Sequence, residues 1–294
     1  MAKRNNGNAT GLSRDLPYES THYLLFGLGN SSEFKTVLDC EDARDYLKDA
    51  GITGGSLWQA RNRRSQAGLY AGFREEGERY CDFCGIPLSG VEFERLKDGR
   101  DRCVSCSRTV VKRQVDFERM FRLVREGMCE KYHIDLPRQM SVKVVSQAKL
   151  AKLAGTDFVP TKYFDPRAVG FATLKHGNEY GVVFENGTPR IKLIATSAHE
   201  LTHIWQYSHW NMAQMQARYG KEYLAVCEGM AKWSEIQYLF LINETEQATR
   251  SLENEVARTD VYGYGLRMML NRYPLSRGIS LEGDTPFNHV DRPI

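Results

Sequence analysis

Two imidazoles and a carboxylate stand together in His199-Glu200-Leu201-Thr202-His203. On an α-helix, residues four apart share a face, so both rings can reach one metal ion. Glu200 stands beside them and can polarise a water bound to that ion, taking its proton as the oxygen attacks a carbonyl. Chance delivers such a match in a chain of this length on the order of one time in a hundred. The flanks argue further against coincidence. Ile194-Ala195 and Ile204-Trp205 make an apolar helix, in which two histidines and a glutamate need partners.

A catalytic zinc takes three protein ligands and keeps a fourth position for water. The mostly apolar stretch 221 to 241 offers the third, because Glu228 sits in its midst and a buried carboxylate needs a cation. Gly229 beside it allows close helix packing. Two other acids compete. Glu222 stands near a helix start, where the macrodipole already favours an acid, and Glu235, two turns beyond Glu228, reads as an exposed polar residue. An oxyanion donor is offered by Tyr262 or Tyr264 in Asp260-Val-Tyr-Gly-Tyr-Gly-Leu-Arg267, and a core tyrosine beside a glycine turn is an equal reading. His209 is six residues past His203, off the shared face, and reads as surface or packing. His22, His133, His176 and His289 are isolated and are not taken as ligands.

A second metal signature lies upstream. Cys81-x2-Cys84 and Cys103-x2-Cys106 have the spacing of a four-thiolate zinc site, with Gly85 easing the turn after the first pair and Lys97-Asp98-Gly99 making a hairpin between them. Such a site is closed, so its zinc is expected to contribute folding energy and no chemistry. A DNA-reading finger needs two histidines and a recognition helix that are absent, and the duplicated motif argues against a redox pair. Whether the module also docks a protein is left open.

These groups must be positioned by a chain of 294 residues, enough for one large domain or two ordinary ones. Hydrophobic residues at 41% and charged residues at 26% exclude disordered and fibrous classes. A net charge of +3 is too small to argue for nucleic acid or an anionic membrane. No apolar run reaches the ~20 residues of a membrane span, and the N-terminus has no secretory core. Seven cysteines with CxxC pairs suit metal in a reducing compartment, so a cytoplasmic location is expected. Residues 1–20 read as a flexible tail. Ser32 to Gly51 and the stretch around Leu57 to Phe73 read as helical, the latter carrying Arg61, Arg63 and Arg64 on what is taken as a solvated face rather than a nucleic-acid patch. A helix follows Cys106, with Val111, Val115, Phe117, Met120, Phe121 and Val124 turned to the body. Ser141–Val145, Gly170–Thr173, Tyr180–Phe184 and Ile191–Ile194 read as strands, with Asn186-Gly187 as a hairpin turn between the last two. Tyr180–Phe184 is a candidate edge for an extended peptide. Helices dominate from Ala195, and the last ~17 residues read as a loose tail.

In this order, the cysteine pairs, Ala198-His199-Glu200 through His203-Ile204-Trp205, Glu228-Gly229, and Val261-Tyr262-Gly263 with Arg267 resemble the LIM-associated gluzincin peptidases of plants, the DA-one family, and their bacterial relatives. The resemblance spans about residues 79 to 275. It implies an α+β gluzincin-type metallopeptidase domain (108–277) behind a half-LIM, treble-clef-like zinc module (79–107); the helical N-terminal region (21–78) and the C-terminal tail (278–294) are read from the residues alone. It implies one catalytic zinc on His199, His203 and Glu228, one structural zinc on Cys81, Cys84, Cys103 and Cys106, Glu200 as general base and Tyr262 as oxyanion donor. The substrates are expected to be specific intracellular proteins, with a further protein partner possible through the N-terminal region or zinc module, and neither membrane nor nucleic acid. A full LIM domain holds two zinc ions, whereas these four cysteines suffice for one, and residues 21 to 76 carry no acidic ubiquitin-interacting motif. The competing reading is a zinc-module adaptor whose HExxH site is vestigial or gated.

Overall fold

The structure, a computed structural model, describes residues 79–153, 169–175, 179–258 and 260–294, and the backbone of strands at 57–59 and 71–73. It is α+β. The helix expected at Ser32 to Gly51, the 1–20 tail and Arg61–Arg64 lie outside the described residues. Where a helix is expected from Leu57 to Phe73, strands β1 (Leu57–Gln59) and β2 (Ala71–Phe73) pair antiparallel instead, Leu57 opposite Phe73. Gly68 and Gly72 weaken helix, while the aromatic residues of this stretch suit a hairpin.

The cysteine module is built on the hairpin of β3 (Phe93–Arg95) and β4 (Asp101–Cys103), turning through Lys97-Asp98-Gly99 as its sequence suggests. The short helix α1 (Val104–Arg108) follows, its start capped by the Cys103 sulfur. The module is fastened to the body. Arg100, 2% exposed, donates to Asp98 and, through both terminal nitrogens, to Glu185 at the end of a body strand. Arg102 reaches the Gly187 carbonyl at 3.1 Å, and Arg250 reaches the Cys84 carbonyl at 3.2 Å.

Helix α2 (Gln114–Tyr132) buries Phe117, Phe121, Val124, Met128 and Tyr132 at helical spacing. Val111 precedes this helix, and Val115 is 58% exposed because it falls off that stripe, contrary to expectation. Strands β5 (Met140–Val145), β6 (Gly170–Lys175) and β7 (Glu179–Glu185) form a sheet in the order β5-β7-β6, with the short helix α3 (Gln147–Leu153) after β5. β5 runs parallel to β7, and β6 antiparallel to it. Tyr180–Phe184 is therefore central, not an edge; among the described residues β6 holds an edge.

Asn186-Gly187 does turn the chain, with Gly187 at φ 84°, but into a helix rather than a strand. Pro189 caps α4 (Arg190–His209), so Ile191–Ile194 is its first turn. A short apolar run fits either period, and here the helical pattern continues to His209. Helix α5 (Met212–Tyr219) leads to α6 (Tyr223–Leu241), then α7 (Thr245–Val256) and α8 (Val261–Arg272). Helices α4 and α6 are buried on nearly all sides and form the centre of the core. The last residues are not a loose tail. Phe287 is buried with its ring 5.0 Å from both Tyr132 and Trp205, and Gln237 exchanges two hydrogen bonds of 2.8 Å with the Ser276 backbone. None of the described helices is long and apolar enough to cross a membrane.

Candidate metal centre

Helix α4 presents His199, Glu200 and His203 from its buried middle, as the i, i+4 spacing requires. Helix α6 crosses it with Glu228, 1% exposed. The Nε2 atoms of His199 and His203 lie 3.1 Å apart, and Glu228 Oε2 is 3.2 Å from the first and 3.5 Å from the second. Among the described residues, neither oxygen of Glu228 has a hydrogen-bond partner. A buried carboxylate in that condition is costly unless a cation is bound there. These three residues form a group that could hold a metal ion.

The electrostatics point the same way. Burial disfavours a charged His199, yet contact with Glu228 and Glu235 overrides it and lifts the imidazole to about 9. Burial also opposes ionisation of Glu228, but the two histidines hold its carboxyl well below the usual range. The carboxylates acting on His199 are Glu228, Glu235 and Glu200, against one cation, Lys232. Burial raises the pKa of Glu200, with the histidines acting against the rise. One of its oxygens accepts the Ala172 N–H of β6 at 2.7 Å.

Glu235 is buried, not exposed as its sequence reading has it. Seven residues on from Glu228 returns it to the same helix face, and its Oε2 lies 3.2 Å from His199 Nδ1. From it runs a buried line of alternating charge: Lys232 at 2.9 Å, then Glu255 at 3.2 Å from Lys232, then Arg258 at 2.9 Å from Glu255. Arg258 pairs with Asp260 and stacks 4.5 Å over the Tyr262 ring. Sequence reasoning missed Lys232, Glu255 and Arg258, although a lysine one turn beyond Glu228 in an apolar helix signals an internal ion pair.

Asp260 caps α8, accepting the Tyr262 N–H at 3.1 Å and the Gly263 N–H at 3.3 Å. Tyr262 thus stands in the first turn, where burial and then the Glu228 charge push its hydroxyl well above the ordinary value; Glu200 contributes too. Tyr264 faces elsewhere, donating to Glu222 at 3.1 Å. Of the two tyrosines, Tyr262 is thus the one that feels the Glu228 charge, while Tyr264 is paired with Glu222. His209 stacks on Trp205 at 4.7 Å, a packing role, and His289 pairs with Asp284.

Cys81, Cys84, Cys103 and Cys106 converge, all buried and unbridged, into a second group that could hold a metal. The Cys84 and Cys103 sulfurs are 3.7 Å apart. Backbone N–H groups of Cys103 and Cys106 reach the Cys81 and Cys103 sulfurs at 3.4 Å. Hydrogen bonds from Cys106 and Cys84 hold the Cys81 thiol down to about 2, while the Cys106 thiol is pushed up by its contacts with Cys81 and Cys84. Four crowded sulfurs can all ionise only around a cation. Comparison of the chain with protein-family models, curated proteins and solved structures gives no match.

Proposed function

We propose that this chain is a gluzincin-type zinc endopeptidase acting on specific intracellular proteins, with a second, structural zinc in the cysteine module. The observation that carries the reading is the triangle of His199 Nε2, His203 Nε2 and Glu228 Oε2, with sides of 3.1, 3.2 and 3.5 Å. Tetrahedral zinc with bonds of ~2.0–2.2 Å separates its nitrogen and oxygen ligands by roughly 3.3–3.6 Å, so two sides of the triangle need open by only a few tenths of an ångström, and it separates thiolates by about 3.8 Å. The 3.7 Å between Cys84 and Cys103 suits the latter. The resemblance of the ordered motifs to those of the DA-one-like peptidases supports the same reading.

Zinc, when bound, supplies Lewis acidity that brings water toward neutral pKa and polarises a carbonyl. Glu200 accepts the proton of the attacking water and delivers it to the leaving nitrogen as the peptide bond breaks. Its raised pKa suits a group that must take and give a proton, and the Ala172 N–H fixes its aim. Tyr262, kept protonated, donates to the developing oxyanion.

The test is zinc stoichiometry by native mass spectrometry on wild type and His203→Ala, purified without chelator. Two ions falling to one is the expected result. One ion in both proteins would leave only the cysteine module loaded and favour the adaptor reading.

A further inference from the structure

Gln206 has no part in the motifs above, yet it is wholly buried and bonded at both ends of its amide. Its Nε2 donates to the Cys227 carbonyl at 2.9 Å, and its Oε1 lies 2.9 Å from His203 Nδ1. A carbonyl only accepts, so the amide orientation is settled: nitrogen toward Cys227, oxygen toward His203. The amide oxygen also only accepts, so the hydrogen of His203 sits on Nδ1. In the neutral ring this leaves the lone pair on Nε2, the atom 3.5 Å from Glu228 Oε2. The reversed amide would set two acceptors against each other at Cys227. It would also turn an Nε2–H into the ligand cluster, where it would repel a cation.

Position matters as much as polarity. Gln206 is three residues beyond His203 on α4, hence on the same face. Cys227 immediately precedes Glu228 on α6. One neutral side chain therefore ties two ligands on different helices, without adding charge to a centre already rich in carboxylates. His199 is backed differently, by a carboxyl: Glu235 Oε2 lies 3.2 Å from its Nδ1.

We infer that Gln206 is the positioning residue of the metal centre, holding His203 as the Nδ1–H tautomer and fixing its distance to Glu228; this rests on the metal reading above. Outer residues of this kind set metal affinity by 10–100-fold. The test is affinity for the second zinc equivalent by chelator competition, with cobalt(II) absorption as a spectroscopic readout. Q206L should lose about 10–100-fold and shift the cobalt bands. Q206E should recover most of the loss, since a protonated carboxyl can accept from Nδ1–H and donate to Cys227. If Q206L does not fold, Q206M keeps the volume and lacks both bonds. Unchanged zinc affinity and cobalt spectrum in the folded leucine or methionine variant overturns the inference, whatever happens to stability. A wild-type chain that takes up no second zinc overturns the metal reading and this inference with it.

Discussion

Gly229 and Gly265 lie backbone against backbone where α6 crosses α8. A methyl group built on Gly229 would fall 2.7 Å from the Gly265 Cα and overlap its carbonyl. This closeness lets Tyr262, one turn before Gly265, share an electrostatic environment with Glu228, one residue before Gly229. Gly229→Ala gains ~1 kcal/mol of helix propensity. Forcing two backbones apart costs about 1–3 kcal/mol or more. The obstacle is a main chain that cannot swing aside, so the clash should win. Thermal unfolding is expected several degrees lower in this variant; an equal or higher midpoint would show that the helices separate freely.

Glu200→Gln should keep both metals and the fold while cutting peptide cleavage by about 10²–10⁴-fold. The amide can still accept the Ala172 N–H but cannot take a proton from water. Undiminished turnover in this variant would remove Glu200 from the mechanism.

Tyr262→Phe removes one hydroxyl and leaves the ring under Arg258. Its expected effect is a fall of about 10²–10³-fold in kcat with KM and zinc content nearly unchanged. A change confined to KM would make Tyr262 a substrate-binding group instead.

Acid should act through the buried ion line. Burial opposes ionisation of both acids, but Arg258 and Lys232 hold the Glu255 carboxyl below its ordinary value, and Lys232 and His199 hold that of Glu235 well below it. Their contribution is therefore complete above about pH 4.3, the unfolded value, and is lost as pH falls through the depressed folded values. Glu255→Gln should cost roughly 3 kcal/mol near neutrality, because Lys232 and Arg258 lose a shared partner. It should also flatten the acid limb of unfolding midpoint against pH. Parallel limbs in variant and wild type would place the acid sensitivity elsewhere.

The parts of the centre that depend on helical arithmetic were legible in the sequence. His199 and His203 four apart, and Glu228 inside an apolar helix, needed no tertiary information. The same arithmetic puts Glu235 on the Glu228 face, and reading it as exposed ignored a period of two turns. Ile191–Ile194 reads as a strand because three apolar residues in four fit strand and helix equally. The strand order β5-β7-β6 and the anchoring of Phe287 depend on partners far along the chain, which periodicity cannot reveal. Gln206 was invisible for a related reason: its meaning lies in a carbonyl on another helix.

The buried pairing of Arg100 with Glu185 joins the cysteine module to the strand that leads into α4. Losing Arg100 would leave Glu185 and Asp98 as buried acids without their shared cation, whereas losing Glu185 would leave Arg100 paired to Asp98 alone. Arg100 thus makes the cysteine module part of the ground on which the histidine helix rests.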